Sequence, residues 1–316
     1  MFDSPPEMPQ AVGDVVGRAF RACRQNISVI FRILLVPTIF QTVAGVVLQW
    51  VISYGVSQVA ETKDIMTGVF VFASGMLALG VMMVASWVST IRLMALTRIQ
   101  LGFSPDYASG LKNISAKKWS IVGLYFLGTV IVSFASGLWL AIIMISAIAG
   151  GKEQPLITAT GALVGLWGLV VTFSIYMMAG FVALIILACE ERPLMAVIGR
   201  ALQMTFRYFW RAMAFGGLFM LVYTVVSYPL SLPVVALTVF DMFRNGLMSG
   251  AISETYKAPL YIMVINQVWE SLMSLILRPA MFFGFGLFYY DLCLRSEGLD
   301  ITRRLERFKQ KALVGR

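Results

Sequence analysis

The chain has 316 residues, of which 59% are hydrophobic and 13% are charged, and its formal net charge is +9. This composition departs far from that of soluble globular proteins and leaves no room for a separate soluble domain. Histidine is absent, which removes the usual proton shuttle at neutral pH and the commonest metal ligand. We therefore expect neither a metal site nor a cofactor.

Long stretches without charged residues dominate the chain. Five contain none at all, and in a sixth only Glu270 and Arg278 interrupt the apolar run. In chain order they cover 33–60, 65–91, 119–151, 154–189, 212–240 and 258–290. About 20 apolar residues of helix cross the hydrocarbon core of a bilayer. The predicted fold is an all-α integral membrane protein with six transmembrane helices in a single membrane domain over 1–316. Residues 1–10, which are acidic and contain proline, are predicted to be disordered.

The positive charges lie mainly at alternate ends of these stretches. Of the 25 Lys and Arg, 21 fall in four segments, namely 18–32, 92–118, 192–211 and 278–316. Because cytoplasmic flanks carry the basic excess, we expect both termini in the cytoplasm. Such a surface would hold anionic lipid head groups. Cations that flank membrane spans do not favour nucleic acid as a partner.

An amphipathic helical pattern precedes each pair of predicted spans. Gly17-Arg18-Ala19-Phe20 recurs as Gly199-Arg200-Ala201-Leu202, and a weaker copy follows Pro105. We therefore expect three parallel repeats, each an amphipathic interfacial helix followed by a transmembrane hairpin. Their approximate bounds are 11–95, 105–190 and 193–294.

The cationic faces of these helices are candidate contacts for lipid head groups. A basic amphipathic helix lies in the membrane plane with its apolar face down; it could also pack beneath the bundle as a connector, and the two are compatible. Segment 299–316 has the same pattern and is predicted as a further basic amphipathic helix, N-capped by Asp300. The candidate head-group contacts are Arg18, Arg21, Arg200, Arg207, Arg303 and Arg304.

Small residues recur along the fourth span at three- and four-residue steps. They are Gly161, Gly165, Gly168 and Thr172. Small residues let membrane helices approach closely. This spacing favours tight packing inside the protein, with dimerisation as the alternative.

The sixth span carries a polar stripe on one helix face. Its members are Asn266, Glu270, Ser274 and Arg278. Counted from Tyr289 and Tyr290 as an aromatic belt, Arg278 lies about 16 Å deep, near mid-membrane. A charge there costs about 2.5–3.5 kcal/mol and needs a partner. Arg32 and Gln41 of the first span are candidates.

Two interpretations of the stripe stay open. It could line a polar cavity that binds an anionic head group at Arg278 or a cation at Glu270. It could instead be a buried polar network that joins helices and specifies their register. A proton relay usually needs more than one titratable carboxylate or histidine, so a pump is not favoured.

Several motifs resemble one bacterial family. The run Leu287 to Leu292, with Tyr289, Tyr290 and Asp291, is followed by Arg295, Glu297 and Gly298. This resembles the "YYDLRxRxEGFD" close of six-span proteins named after the membrane domain of glycerophosphoryl diester phosphodiesterase, with YciC-like relatives. The opening from Val12 resembles the group's "GEILDRAFRLYRRN". Its "PxxALxRSxxLxRGxxWR" segment is matched by Pro193, Ala196, Arg200, Trp210 and Arg211.

The resemblance implies the membrane module alone. The chain departs from the family pattern at Cys293 and at Leu299. In the phosphodiesterases that name the group, a separate soluble domain hydrolyses the substrate with histidines and metal-binding carboxylates. This chain has no histidine, so that activity is not carried over.

The predicted function is that of a non-enzymatic scaffold or accessory subunit of the bacterial inner membrane. It would present basic helices to anionic lipids and hold a lipid or a membrane-protein partner at the polar stripe. The first alternative is a transporter or channel for a small anion or lipid. An intramembrane enzyme is the second, and the absence of histidine and of paired membrane carboxylates speaks against it.

Overall fold

The computed structural model describes residues 6, 8–55, 58–59, 64–150, 155–244 and 259–297, which form helices and no β-strand. Several sequence predictions fall elsewhere. Gly298, Arg303, Arg304 and the predicted helix 299–316 lie outside the described residues, as do the side chain of Glu297 and positions 1–5 and 7.

Six long helices and three short ones make up the described chain. In order they are α1 (Val12–Gln25), α2 (Ile27–Trp50), α3 (Ile65–Gln100), α4 (Tyr107–Ala116), α5 (Lys118–Gly150), α6 (Pro155–Cys189), α7 (Leu194–Arg207), α8 (Phe209–Met242) and α9 (Leu260–Glu297). A π-helical turn, Val51–Gly55, extends α2. The six long helices are apolar enough to cross a membrane. This confirms the six predicted spans and indicates a multi-pass membrane protein. One short helix precedes each pair of long ones.

Exposed aspartates begin two of these helices. Asp64 accepts hydrogen bonds from the Thr67 backbone N–H (3.1 Å) and hydroxyl (2.8 Å) at the start of α3. Asp106 accepts one from the Ser109 N–H (3.4 Å) at the start of α4. The first N–H groups of a helix have no partner within it, so a side-chain acceptor here stabilises the helix. The Thr67 hydroxyl and N–H hold the pKa of Asp64 below its ordinary value.

The described residues pack into two compact units. The first unit comprises the described parts of Ala19–Leu93 and Phe219–Phe283. In it α2 packs against α9, since the Thr42 hydroxyl donates to the Ser271 hydroxyl (2.7 Å). The Gln267 side chain fills the space beside Gly45, where a Cβ would clash. A small residue thus allows this close approach.

The second unit comprises the described parts of Asp3–Arg18, Met94–Leu218 and Gly284–Arg316. Here the glycines of α6 pack directly on α5. A Cβ at Gly161, Gly165 or Gly168 would clash with Ser146, Ile143 or Trp139, respectively. The Trp139 indole N–H also donates to the Thr172 hydroxyl (2.9 Å). The expectation that the small-residue stripe packs tightly inside the protein is confirmed.

Burial is concentrated at the C-terminal ends of three long helices. Leu93–Leu96 of α3, Val182–Cys189 of α6 and Leu292–Leu294 of α9 are all buried. Elsewhere large apolar side chains such as Phe134 and Trp167 are exposed. Apolar surface of this extent is stable against lipid and not against water. The long helices therefore combine a lipid-compatible length with a protein-covered end.

We expect Gly168→Ala to destabilise the protein by about 1–3 kcal/mol, because the Trp139 ring must move. Thermal unfolding in detergent measures this as a lower midpoint. Gly137→Ala in α5 is the matched control, since a Cβ at Gly137 has no neighbour within 4 Å and alanine favours helix. Equal midpoints for the two variants would contradict tight packing at Gly168.

Candidate functional site

Arg278 joins two helices of the first unit. It is half-buried in α9, and its Nη2 donates to the Ser86 carbonyl (3.3 Å), the Ser86 hydroxyl (3.1 Å) and the Thr90 hydroxyl (3.0 Å) of α3. Hydrogen bonds to a charged group are the stronger kind. The expected partners Arg32 and Gln41 form no hydrogen bond or ion pair with it among the described residues. The second span, not the first, supplies these hydroxyls.

The rest of the polar stripe does not converge with Arg278. Glu270 and Arg32 are exposed, whereas Asn266, Ser274 and Gln41 are half-buried. Within the described ranges, no side chain pairs with the Glu270 carboxylate. The stripe therefore divides into a bonded part at Arg278 and an open part at Glu270. Only the first part has the geometry of a network that joins helices.

The predicted depth of Arg278 is counted from Tyr289 and Tyr290, on the assumption that they form an aromatic belt at the membrane surface. Tyr289 and Tyr290 are 3% and 2% exposed, so they do not form an aromatic belt against lipid. The Cys23 thiol of α1 donates to the Ile276 carbonyl (3.5 Å), and burial raises the pKa of this thiol to about 11. Helix α1 therefore contacts α9 at Ile276, two residues before Arg278.

Asp291 is the centre of an ion cluster in the second unit. Its side chain is fully buried. Oδ1 accepts the Gln10 N–H (2.8 Å), and Oδ2 accepts Nε of Arg211 (2.9 Å) and of Arg295 (3.1 Å). Both arginines also donate to the Gln10 carbonyl. One carboxylate thus holds the segment before α1, the start of α8 and the end of α9.

Glu190, directly after α6, is the centre of a second cluster. Its Oε1 accepts the Tyr289 hydroxyl (2.5 Å) and lies 2.9 Å from Arg200 Nε. Its Oε2 lies 2.5 Å from Arg192 Nε. This network fastens α7, through Arg200, to the ends of α6 and α9. The sequence reasoning missed Glu190, although its position as the first charge after the apolar run 154–189 was an available signal.

Two further cations cap the C-terminus of α6. The Lys117 ammonium donates to the carbonyls of Leu187 (3.0 Å) and Glu190 (2.7 Å). Arg98 Nη1 donates to the Ala188 carbonyl (2.5 Å). Cations at this helix end satisfy free carbonyls and oppose the negative end of the dipole. Burial lowers the pKa of Lys117, and the neighbouring Arg98 lowers it too.

The motifs that carry the family resemblance meet in these clusters. Asp291 of the closing motif pairs with Arg211 of the middle motif. Tyr289 and Arg200 share Glu190, and Tyr290 is fully buried. The ion pairs and hydrogen bonds of these two clusters therefore bring together residues that are distant in the sequence.

The candidate head-group contacts differ in availability. Arg21 and Arg207 are exposed, and Arg18 is half-buried. Arg207 lies over the ring of Tyr208, with 5.7 Å between its guanidinium carbon and the ring centroid. Arg200 is engaged by Glu190. Arg21 and Arg207 are thus the most accessible of the described candidates.

No family model, curated protein or solved structure matches this chain. Across the part of the chain that the structure describes, no three Cys, Asp or Glu side chains are grouped so that they could hold a metal ion. The geometry of the charged clusters and helix faces is therefore the basis for a functional proposal.

We expect Asp291→Asn to lower the free energy of unfolding by about 3 kcal/mol, because two arginines lose their buried counter-charge. The measurement is the thermal unfolding midpoint together with the folded yield in detergent. Asp106→Asn makes the same change at an exposed helix cap, where Asn caps as well as Asp, and should be neutral. An unchanged midpoint for Asp291→Asn would remove the structural role of the cluster.

Proposed function

We propose that this chain is a non-enzymatic multi-pass protein of the bacterial inner membrane, a scaffold or accessory subunit with both termini in the cytoplasm. Its cytoplasmic helices bind anionic lipid head groups, and the open part of the polar stripe receives a lipid or a partner protein. It belongs, on this proposal, to the six-span group whose motifs it resembles.

The faces of α7 carry this proposal. One face is buried and contains Val197, Ala201 and Met204, whereas Leu202 and Phe206 form an exposed apolar face. Arg207 lies on a third, exposed face. A helix that touches protein, lipid and water at once is suited to the membrane surface. The apolar face enters the lipid and the arginine reaches the head groups.

The order of short and long helices supports three parallel repeats. Each repeat would consist of a surface helix and the hairpin that follows it. Helix α1 differs from α7, since no large apolar side chain of α1 is exposed. Its role is that of a connector packed against the protein, with Arg21 on its exposed side.

Helix α9 is longer than the hydrocarbon core is thick. Helix α9 has 38 residues and is about 57 Å long, against a hydrocarbon core of about 30 Å. Nearly half of it must lie outside the hydrocarbon, which suits the buried, ion-paired end around Asp291.

The carboxylates of the clusters support a structural role over a catalytic one. Asp291 is engaged by two arginines and a backbone N–H. Glu190 is engaged by two arginines and a tyrosine. Groups bound so fully to other parts of the protein are not available to a substrate.

The lipid proposal is tested with the double variant Arg21→Gln, Arg207→Gln. Each basic residue near an anionic surface contributes about 1 kcal/mol, so phosphatidylglycerol affinity should fall about 30-fold. Native mass spectrometry after reconstitution with equal phosphatidylglycerol and phosphatidylcholine measures the retained lipid. Gln203→Ala, at an exposed neutral side chain of α7, changes no charge and should have no effect. Equal phosphatidylglycerol retention by all three proteins would refute the proposal.

We expect Arg278→Leu to lower the free energy of unfolding by about 2–4 kcal/mol, because bonds from a charged donor to Ser86 and Thr90 are lost. Thermal unfolding measures the effect, with Arg21→Leu at an exposed position as control. Lipid retention should stay at the wild-type level. A folded, stable Arg278→Leu protein that has lost a co-purified lipid would instead assign Arg278 to lipid binding.

A further inference from the structure

A cleft of about 360 Å³ lies in the second unit between α5, α6 and α7. Its walls are mainly apolar and include Gly128, Ile131, Gly180, Leu184, Ile198 and Leu202. A volume of this size is within the range of ligand-binding pockets. The surface helix α7 forms one wall, so the cleft adjoins the face that the proposed function places at the lipid.

The cleft arises from the way α5 and α6 pack. At Gly165 and Gly168 the two helices are in direct contact. Closer to the C-terminus of α6 the two helices are held apart by the Tyr176 side chain, which lies against Gly128, and a Cβ at Gly180 would have no neighbour within 4 Å. Helix α7 covers part of the resulting gap with Ile198 and Ala201. The space is therefore a wedge between a tightly packed hairpin and the helix laid across its open end.

We propose that this cleft binds one acyl chain of a membrane phospholipid, with the head group at the end beside α7. The inference rests on the proposed function, because it takes its orientation of α7 and adds a second, apolar contact for an anionic lipid. The lining is predominantly apolar and its side-chain polar groups are the hydroxyls of Tyr125, Thr172 and Tyr176, which suits a hydrocarbon chain better than a charged solute.

The dimensions of the cleft fit an acyl chain. Along α6 it extends from Thr172 to Leu184, about 18 Å of helix rise. One leaflet of the hydrocarbon core is about 15 Å thick, half of the full core. Leu184 lies near Cys189, where α6 ends, so the cleft reaches the predicted cytoplasmic surface. A chain in it would lie parallel to the chains of its own leaflet.

Charge and access complete the fit. Leu202 lines the cleft and is also exposed, which leaves a lateral opening for a lipid to enter from the bilayer. Arg192, just before α7, is exposed; its Nε pairs with Glu190, and its other N–H groups donate no hydrogen bond within the described residues. This cation complements a phosphate at the cytoplasmic end of the cleft. The acyl chain would contact three helices, so we expect it to stay bound longer than a lipid that lies on a single exposed helix face.

The test uses phosphatidylglycerol with a diazirine at the end of one acyl chain, in nanodiscs of phosphatidylcholine. In the wild-type protein we expect cross-links in 124–132 and 172–184 to exceed those around Phe134 by at least about tenfold. Gly180→Leu fills the cleft and should abolish this excess. Gly137→Leu, at an open position outside the cleft, should preserve it. Cross-links spread evenly over exposed helix faces, or an excess that persists in Gly180→Leu, would overturn the proposal.

Two further arms keep the outcome decisive. If Gly180→Leu does not fold, Leu202→Trp fills the cleft from its exposed rim and is expected to give the same loss. Phosphatidylcholine with the same diazirine-bearing chain should label the cleft less, because its head group has no net charge, and equal labelling would overturn the head-group contact. Retention of phosphatidylglycerol by the Gly180→Leu protein in native mass spectrometry reports on Arg21 and Arg207 separately. Failure of the cleft and failure of the proposed function are thus distinguished.

Discussion

The architecture of the second unit depends on the ion pairs and hydrogen bonds of one buried carboxylate, that of Asp291. It joins Gln10, Arg211 and Arg295, which belong to the segment before α1, the start of α8 and the end of α9. A buried charge is tolerated only when it is paired and hydrogen-bonded. The chain must therefore bring these segments together or leave Asp291 uncompensated. Glu190 imposes the same condition on α7 through Arg200.

Outside these clusters the long helices rely on contacts that suit a membrane. Without a hydrophobic driving force between helices in lipid, close packing and hydroxyl hydrogen bonds hold them together. Gly168 against Trp139 is one example, and Thr42 with Ser271 is another. Arg278 uses the same type of partner, since hydroxyls of Ser86 and Thr90 accept its N–H groups. Ion pairs thus stabilise the helix ends, whereas close packing of small residues stabilises the long helices along their length.

This division also explains the cleft beside α7. The glycines Gly161, Gly165 and Gly168 bring α5 and α6 close together, whereas the Tyr176 side chain lies between the helices farther along α6. The Glu190 cluster holds α7 across the gap that results. The space between is apolar because mainly apolar side chains of all three helices line it. A proposed acyl-chain site is then a consequence of how the hairpin and the surface helix are fastened.

Sequence patterns predicted the surroundings of some residues correctly and those of others wrongly, and the structure gives the reasons. Tyr289 and Tyr290 have the composition of an aromatic belt, yet they are buried because Tyr289 bonds to Glu190 and the end of α9 is covered by protein. Arg200 carries the helical pattern of a head-group contact, but it pairs with Glu190. Periodicity gives the face of a residue on its own helix; it does not say whether lipid, water or another helix occupies that face.

The sequence alone determined that the chain forms six long apolar helices with short helices before each pair, because length and hydrophobicity act within one segment. The glycine spacing of α6 likewise predicted close packing, since small side chains permit only that contact. The tertiary structure alone decided which partner each charge has: Ser86 and Thr90 for Arg278, Arg211 and Arg295 for Asp291, and Glu190 for Arg200. Such pairings join residues far apart in the chain, so no local pattern specifies them. The cleft of the second unit is a property of three helices at once and has no signature in any one of them.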